Sequence, residues 1–149
     1  MMELIVMFDL ENTLIDSWNS GTSLPHKWNH IKALLDTHLS FSDYPSAKVS
    51  FGVFSFAVDH PAEVPRAIEL AEQTTQYKMN PNLCPCIEDL EKLISPGNIN
   101  LYGKSHMFDL YTRQFPDADF ILFDDALPDV FSTTTRNLPN IQTITKYRV

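Results

Sequence analysis

The chain predicts an α/β fold, a three-layer Rossmannoid parallel sheet with helices on both faces. Three observations carry that expectation. Short apolar runs alternate along the chain with amphipathic helical stretches. Repeated strand–helix–strand units build parallel sheets, because a helix-length crossover returns the chain to the same strand direction. Acidic residues directly follow two of the apolar runs, and parallel sheets bind their ligands at the carboxyl ends of strands.

Glu3–Phe8 reads as the first strand and is expected to be central. Its Leu4-Ile5-Val6-Met7-Phe8 run is apolar throughout, as burial on both faces demands. His26–His38 carries Trp28, Ile31, Leu34 and Leu35 at helical spacing, with Pro25 suited to a first turn. Lys48–Phe54 is β-branched and aromatic, hence a strand beside the first. Pro61–Thr75 sets Val64, Ile68 and Ala71 on one helix face, opened near Asp59. Pro85–Ile94 repeats the pattern with Ile87, Leu90 and Leu93 or Ile94. Ile99–Tyr102 fits a short strand. Ser105–Phe115 is a helix bearing Phe108, Tyr111 and Phe115 that Ser105 can cap. Phe120–Phe123 is the strand on the other side of the first, and Ile141–Thr145 the last. No repeat, low-complexity tract or linker interrupts this order, so residues 1–149 read as a single domain with an adequate core for its length.

Composition narrows the function classes. With 44% hydrophobic and 20% charged residues the chain is globular rather than disordered. Its net charge of -8, from 11 basic and 19 acidic residues, disfavours a nucleic-acid-binding surface. A phosphorylated nucleic-acid end reaching into a site is still compatible with it. No apolar stretch approaches the ~20 residues of a membrane span. Met1-Met2-Glu3 offers no basic leader region, so a cytoplasmic location without a membrane partner is expected. Cys84 and Cys86 flank Pro85, too close for an unstrained bridge and without neighbours for a zinc site. Two reduced thiols are the expected state.

The chemistry concentrates behind the apolar runs. Asp9 and Glu11, two residues apart in a tight turn after the first strand, can hold a hard cation and divide nucleophile and general-acid roles. Asp124-Asp125, with Asp129 beyond, follows Phe120–Phe123. Ser55 ends the Lys48–Phe54 run, and Lys104 stands at a helix start, where the helix dipole disfavours a lysine. Plainer roles exist for each. Asp9 can cap a turn, Thr13 can brace the loop, Ser50 and Ser42 rival Ser55, Lys104 can be solvated, and the acids at 124–129 can form a solvated loop. His26 and His30 share a helix face and read as surface; His60 and His106 stand close enough to Ser55 and Lys104 to line a cleft mouth, but the favoured reading of each is outside it. Trp18 and Trp28 read as packing, Trp18 as part of a flap over the site.

The order of these residues resembles the haloacid dehalogenase-like phosphohydrolase superfamily, whose motifs run Asp-x-Asp-x-Thr, Ser or Thr, Lys, and an acidic pair with a further Asp. FDLENTLID (Phe8–Asp16) is similar to the first motif, Ser55 to the second, Lys104 in YGKSHMF to the third and FDDALPD (Phe123–Asp129) to the fourth. The likeness spans about 120 residues. One departure matters: Glu11 stands where the family's first motif has its second aspartate.

That resemblance implies a Mg²⁺-dependent phosphatase acting on phosphomonoesters of a phosphorylated substrate through an aspartyl-phosphate. Asp9, the Glu11 backbone carbonyl and Asp125 would hold the ion, with Asp124 as ligand or neighbour. Asp9 would be the nucleophile and Glu11 the acid and base. Ser55, Lys104 and the backbone N–H groups of Leu10 and Phe56 would bind the phosphoryl group, with Thr13 bracing the loop and Asp129 orienting water or Lys104. Caps in this family sit after the first or second motif. The intervals Leu14–Phe54 and Phe56–Gly103 are filled by predicted flap, helices and strands, so an open cleft or one covered by assembly is expected. Glu11, one methylene longer than Asp, sets the alternative: a catalytically blunted phosphate- and metal-binding or protein-interaction module.

Overall fold

The computed structural model describes residues 3–41, 48–93, 105–126 and 145–149. Four strands form one parallel sheet: β1 (Glu3–Phe8), β2 (Val49–Val53), β3 (Ala118–Asp124) and β4 (Thr145–Arg148), in the order β2-β1-β3-β4. The first strand is central, as its sequence predicts, and pairs with β2 from Leu4↔Val49 to Phe8↔Val53 and with β3 from Glu3↔Ala118 to Phe8↔Phe123. Leu4 to Phe8 are all fully buried. Each such large apolar side chain contributes roughly 1.5–3 kcal/mol relative to exposure.

Alternate residues of β1 enter two different cores. Leu4, Val6 and Phe8 pack with Ile31 and Leu35 of α1 (Pro25–Ser40) and Ala67 and Ala71 of α2 (Val64–Thr75). Ile5 and Met7 pack with Leu90 of α3 (Ile87–Leu93) and Phe108 and Tyr111 of α4 (Ser105–Gln114). The first core is ordered by an aromatic ladder across the sheet. Phe51 stacks on Phe8 at 6.2 Å, Phe8 on Phe123 at 5.7 Å and Phe123 on Tyr147 at 5.1 Å. Tyr77 extends the row from Phe51 at 4.3 Å, and Trp28 meets Phe8 edge-on at 6.0 Å. Such pairs add about 0.5–1.5 kcal/mol each beyond area burial.

Several boundaries move for local reasons. Pro25 opens α1 one residue earlier than His26, and the helix runs on to Ser40. The predicted helix from Pro61 begins as a 3₁₀ turn, Pro61–Glu63, in which the Glu63 carboxylate accepts the His60 N–H at 3.2 Å. The α-helix proper follows at Val64 and ends where Gln76 turns left-handed at φ 63°. A second 3₁₀ turn, Pro81–Leu83, is capped by the Asn80 side chain accepting from Asn82 N–H at 2.9 Å. The next helix starts at Ile87, not Pro85. β3 is longer than Phe120–Phe123 and takes in Asp124, so that aspartate ends the strand rather than following it. The final strand lies at Thr145–Arg148, so its expected span meets it only at Thr145. Predictions for Ile99–Tyr102, Lys104, Asp129 and residues 141–144 fall outside the described residues. No described helix is long and apolar enough to cross a membrane.

A candidate acidic active site at the carboxyl ends of the strands

Parallel register brings the carboxyl ends of β1, β2 and β3 together, and the residues at and just past those ends share a cleft of about 280 Å³. Its lining is Asp9, Glu11, Asn12, Ser55, Phe56, Ala57, Asp124, Asp125 and Ala126. Asp9 stays in the ladder through its N–H, which donates to the Phe123 carbonyl at 3.0 Å. Phe54, just before Ser55, is fixed likewise by donation to the Phe8 carbonyl at 2.8 Å. These bonds set the heights at which the side chains leave the sheet.

The loop after β1 is tightly folded. The Leu10 carbonyl accepts from the N–H groups of Thr13, Leu14 and Ile15 at 2.9–3.1 Å. Asn12 takes a left-handed conformation, φ 59°, which Asn tolerates better than most residues. Fully buried Thr13 donates its hydroxyl to Asp9 Oδ2 at 3.1 Å. Lys27 of α1 donates its ammonium to the Asn12 carbonyl and, at 3.2 Å, to that of Val149.

Beyond the loop the chain forms a flap, in which Ile15 bridges Glu11 on one side and Ser23 on the other. Asp16 is its staple: its carboxylate accepts from the Ser20 hydroxyl, the Ser17 N–H at 2.6 Å and the Thr22 N–H at 3.0 Å. The Ser20 and Ser17 bonds hold the Asp16 carboxyl below its ordinary range. Glu11 is tied to the same flap, Oε2 accepting from the Trp18 N–H at 2.9 Å.

The second acidic group comes from β3. Asp124 is buried, its Oδ1 accepting from the Ala126 N–H at 2.9 Å. Asp125 is half-buried beside it. One carboxylate oxygen from each of Asp9, Asp124 and Asp125 lies within 4.8 Å of the others. Three hard oxygen donors so close suit a divalent cation of the Mg²⁺ or Ca²⁺ kind. The Glu11 carboxylate is not part of that group.

Ser55 is buried at 4% exposure, and its Oγ accepts the Ala57 N–H at 3.1 Å, keeping its own proton to donate. Its rival Ser50 lies within β2 and donates to the Glu3 carboxylate at 3.3 Å, toward the opposite end. Ser42 is outside the described residues. Leu10 is fully buried and does not line the cleft by its side chain. His60 does not line it either. Its ring faces Glu88 at 3.2 Å, and that contact raises its pKa. Asn12, Ala57 and Ala126 also line the cleft, which no sequence expectation includes. Only Asn12 carries a sequence signal, as a turn-forming residue in the loop after β1.

An α/β protein with an acidic cleft at the strand ends of a parallel sheet is therefore the class that fold and geometry define. No protein family, curated protein or solved structure matches the chain.

Proposed function

We propose that the chain is a Mg²⁺-dependent phosphohydrolase of the haloacid dehalogenase-like type, a single three-layer Rossmannoid domain without a large cap, acting in the cytoplasm. The observation that carries this is the clustering of Asp9, Asp124 and Asp125 at the ends of adjacent parallel strands, with Ser55 just past the end of β2. The intervals where a cap would sit hold, among the described residues, only the flap, helices, 3₁₀ turns and β2.

Asp9, Asp125 and the Glu11 backbone carbonyl are the residues that would hold the ion, with Asp124 alongside. The ion would supply neutralisation of phosphoryl charge. The rest is done by the chain. The Asp9 carboxylate, braced by Thr13, attacks phosphorus to give an aspartyl-phosphate. Glu11 gives its proton to the departing ester oxygen and then takes one from the water that hydrolyses the intermediate. The Ser55 hydroxyl, Lys104 and the N–H groups of Leu10 and Phe56 bind the phosphoryl oxygens.

Turnover of para-nitrophenyl phosphate with and without Mg²⁺, beside Asp9→Asn, tests the reading. Loss of the nucleophile is expected to cost on the order of ten-thousandfold in kcat. Turnover that survives both Mg²⁺ removal and Asp9→Asn sinks the proposal.

A second reading, a phosphate- and metal-binding or protein-interaction module with blunted catalysis, is favoured by one observation. The longer Glu11 has a carboxylate oxygen already engaged by Trp18 N–H. Glu11→Asp separates the two. A large gain in rate would mark the natural chain as a weak catalyst, whereas a loss would mean the cleft is shaped for glutamate.

A further inference from the structure

The bond that orients Glu11 comes from the flap, and the flap is gripped from outside by α2. Arg66, Leu70 and Thr74 lie four residues apart and so share one helix face. The Arg66 guanidinium sits 4.6 Å from the Trp18 ring centroid and donates through Nη2 to the Trp18 carbonyl. Leu70 abuts Gly21, whose φ of +66° and missing side chain allow the approach: a Cβ there would meet Leu70 Cδ2 at 3.0 Å. Thr74 Oγ1 and Ser23 Oγ are 2.7 Å apart. Trp18 is thus held through its ring and carbonyl by Arg66, while its N–H holds Glu11 Oε2 at 2.9 Å.

We propose that Arg66 is a positioning residue for Glu11: by fixing Trp18 it sets the direction from which the Glu11 carboxyl meets the leaving oxygen. The inference rests on the phosphohydrolase reading. Arg66 itself is exposed and does not line the cleft, so it acts only through the flap. An arginine suits the place because its planar group can stack on an indole and donate in plane at once. Lysine keeps the charge and a donor but not the stack. A displacement of the acid near 1 Å is enough to matter greatly, since catalysis falls by on the order of a hundredfold for such shifts. The penalty depends on the ester. An activated aryl leaving group departs with little protonation, while an alkyl oxide needs the proton as its bond to phosphorus breaks.

The test compares the parent protein, Arg66→Gln and Arg66→Lys on ethyl phosphate and para-nitrophenyl phosphate with Mg²⁺, after circular dichroism confirms folding. Arg66→Gln is expected to lower kcat/KM, which covers the steps up to the aspartyl-phosphate and not its hydrolysis, roughly tenfold on ethyl phosphate and less than about twofold on the aryl ester, with faster hydrogen exchange at the Trp18 amide. Arg66→Lys should fall between and show the same split; it decides the matter if Arg66→Gln does not fold. Equal losses of kcat/KM on the two esters, or none, overturn the positioning role while leaving the phosphohydrolase reading intact. Absence of Mg²⁺- and Asp9-dependent turnover of either ester in the parent overturns both.

Discussion

Within the bodies of β1 and β3 the fully buried side chains are apolar, whereas at the carboxyl ends of β1, β2 and β3 the buried side chains include Asp9, Thr13, Ser55 and Asp124. Setting aside the cysteine thiols and the Tyr111 phenol, only one further polar side chain is buried among the described residues. That is Thr75, which satisfies itself by donating to the Ala71 carbonyl at 2.8 Å. The same strands therefore follow opposite rules over a few residues. In the bodies, stability comes from area removed from water and from ring stacking. At the ends, groups that cost free energy to bury are gathered and oriented. Sites that perform chemistry concentrate such costs, so the two regions should answer mutation in opposite ways.

The largest contrast is expected at Asp125. Like charges within 4.8 Å of one another repel by roughly 3 kcal/mol per pair at an effective dielectric constant of ~20, and by less once water and salt screen a half-buried group. Asp125→Asn should lower Mg²⁺-dependent turnover about a hundredfold. In metal-free buffer it should leave the protein as stable or raise the unfolding free energy by about 1 kcal/mol. Adding Mg²⁺ should then stabilise the parent, by about 2.7 kcal/mol at a hundred times the dissociation constant, and the variant much less. Thermal melts with and without Mg²⁺ check this. A variant that melts well below the parent without metal would show that the acids brace the fold, and the contrast would break.

Gly52 is the matching position in a strand body. A Cβ there would meet the Leu83 carbonyl at 2.3 Å, Leu83 Cβ at 2.5 Å and Met7 Sδ at 2.7 Å. The 3₁₀ turn at Pro81–Leu83 presses on β2 at this point, and a backbone carbonyl cannot step aside as a side-chain tip can. Gly52→Ala should cost roughly 1–3 kcal/mol, or about 2–4 °C of melting temperature per kcal/mol. The folded fraction should keep its kcat within about twofold. Loss of activity without loss of stability would place strain from Gly52 at the site and blur the distinction.

Much of this division was legible in the sequence, and the illegible part has a physical cause. An unbroken apolar run followed by acids announces a central parallel strand with a site at its end, because register then brings neighbouring strand ends together. Residues 9, 55 and 124–125 follow from that argument alone. What escaped depends on which surfaces meet. The grip of Arg66 on Trp18, the 3₁₀ turn behind Gly52 and the bridging of Ile15 to Ser23 join residues that no local period relates. The length of β3 escaped too, since Ala118 and Asp119 pair with Glu3 and Leu4 without the apolar signature of the strand's middle. Asn80-Pro81-Asn82 carries a local turn signal, but a turn signal does not say which strand the turn packs against.

The smallest expected effect lies in the first core, at a titratable group that behaves as an apolar one. Cys84 is 6% exposed, its Sγ donating to the Asn80 carbonyl at 3.4 Å. Burial pushes its thiol from 9.0 up to about 11. The folded state then holds the proton more tightly than the unfolded chain does, so unfolding releases it once the pH passes the unfolded value. The stabilisation is fully present below that value and is lost as pH rises toward about 11. At 1.36 kcal/mol per unit, the loss is roughly 2 kcal/mol. Burial raises Tyr111 as well and adds its own pH dependence, so the measurement is a difference. Urea unfolding of the parent and of Cys84→Ala, followed from about pH 8 to about pH 11, should show the parent losing about 2 kcal/mol more than the variant. Alkylation by iodoacetamide at about pH 8 should be slow in the native protein and fast in urea. A difference that stays flat with pH would mean that water reaches the thiol. The strand bodies would then not be the dry half of the contrast, and the buried carboxylates at the strand ends would no longer stand apart from them.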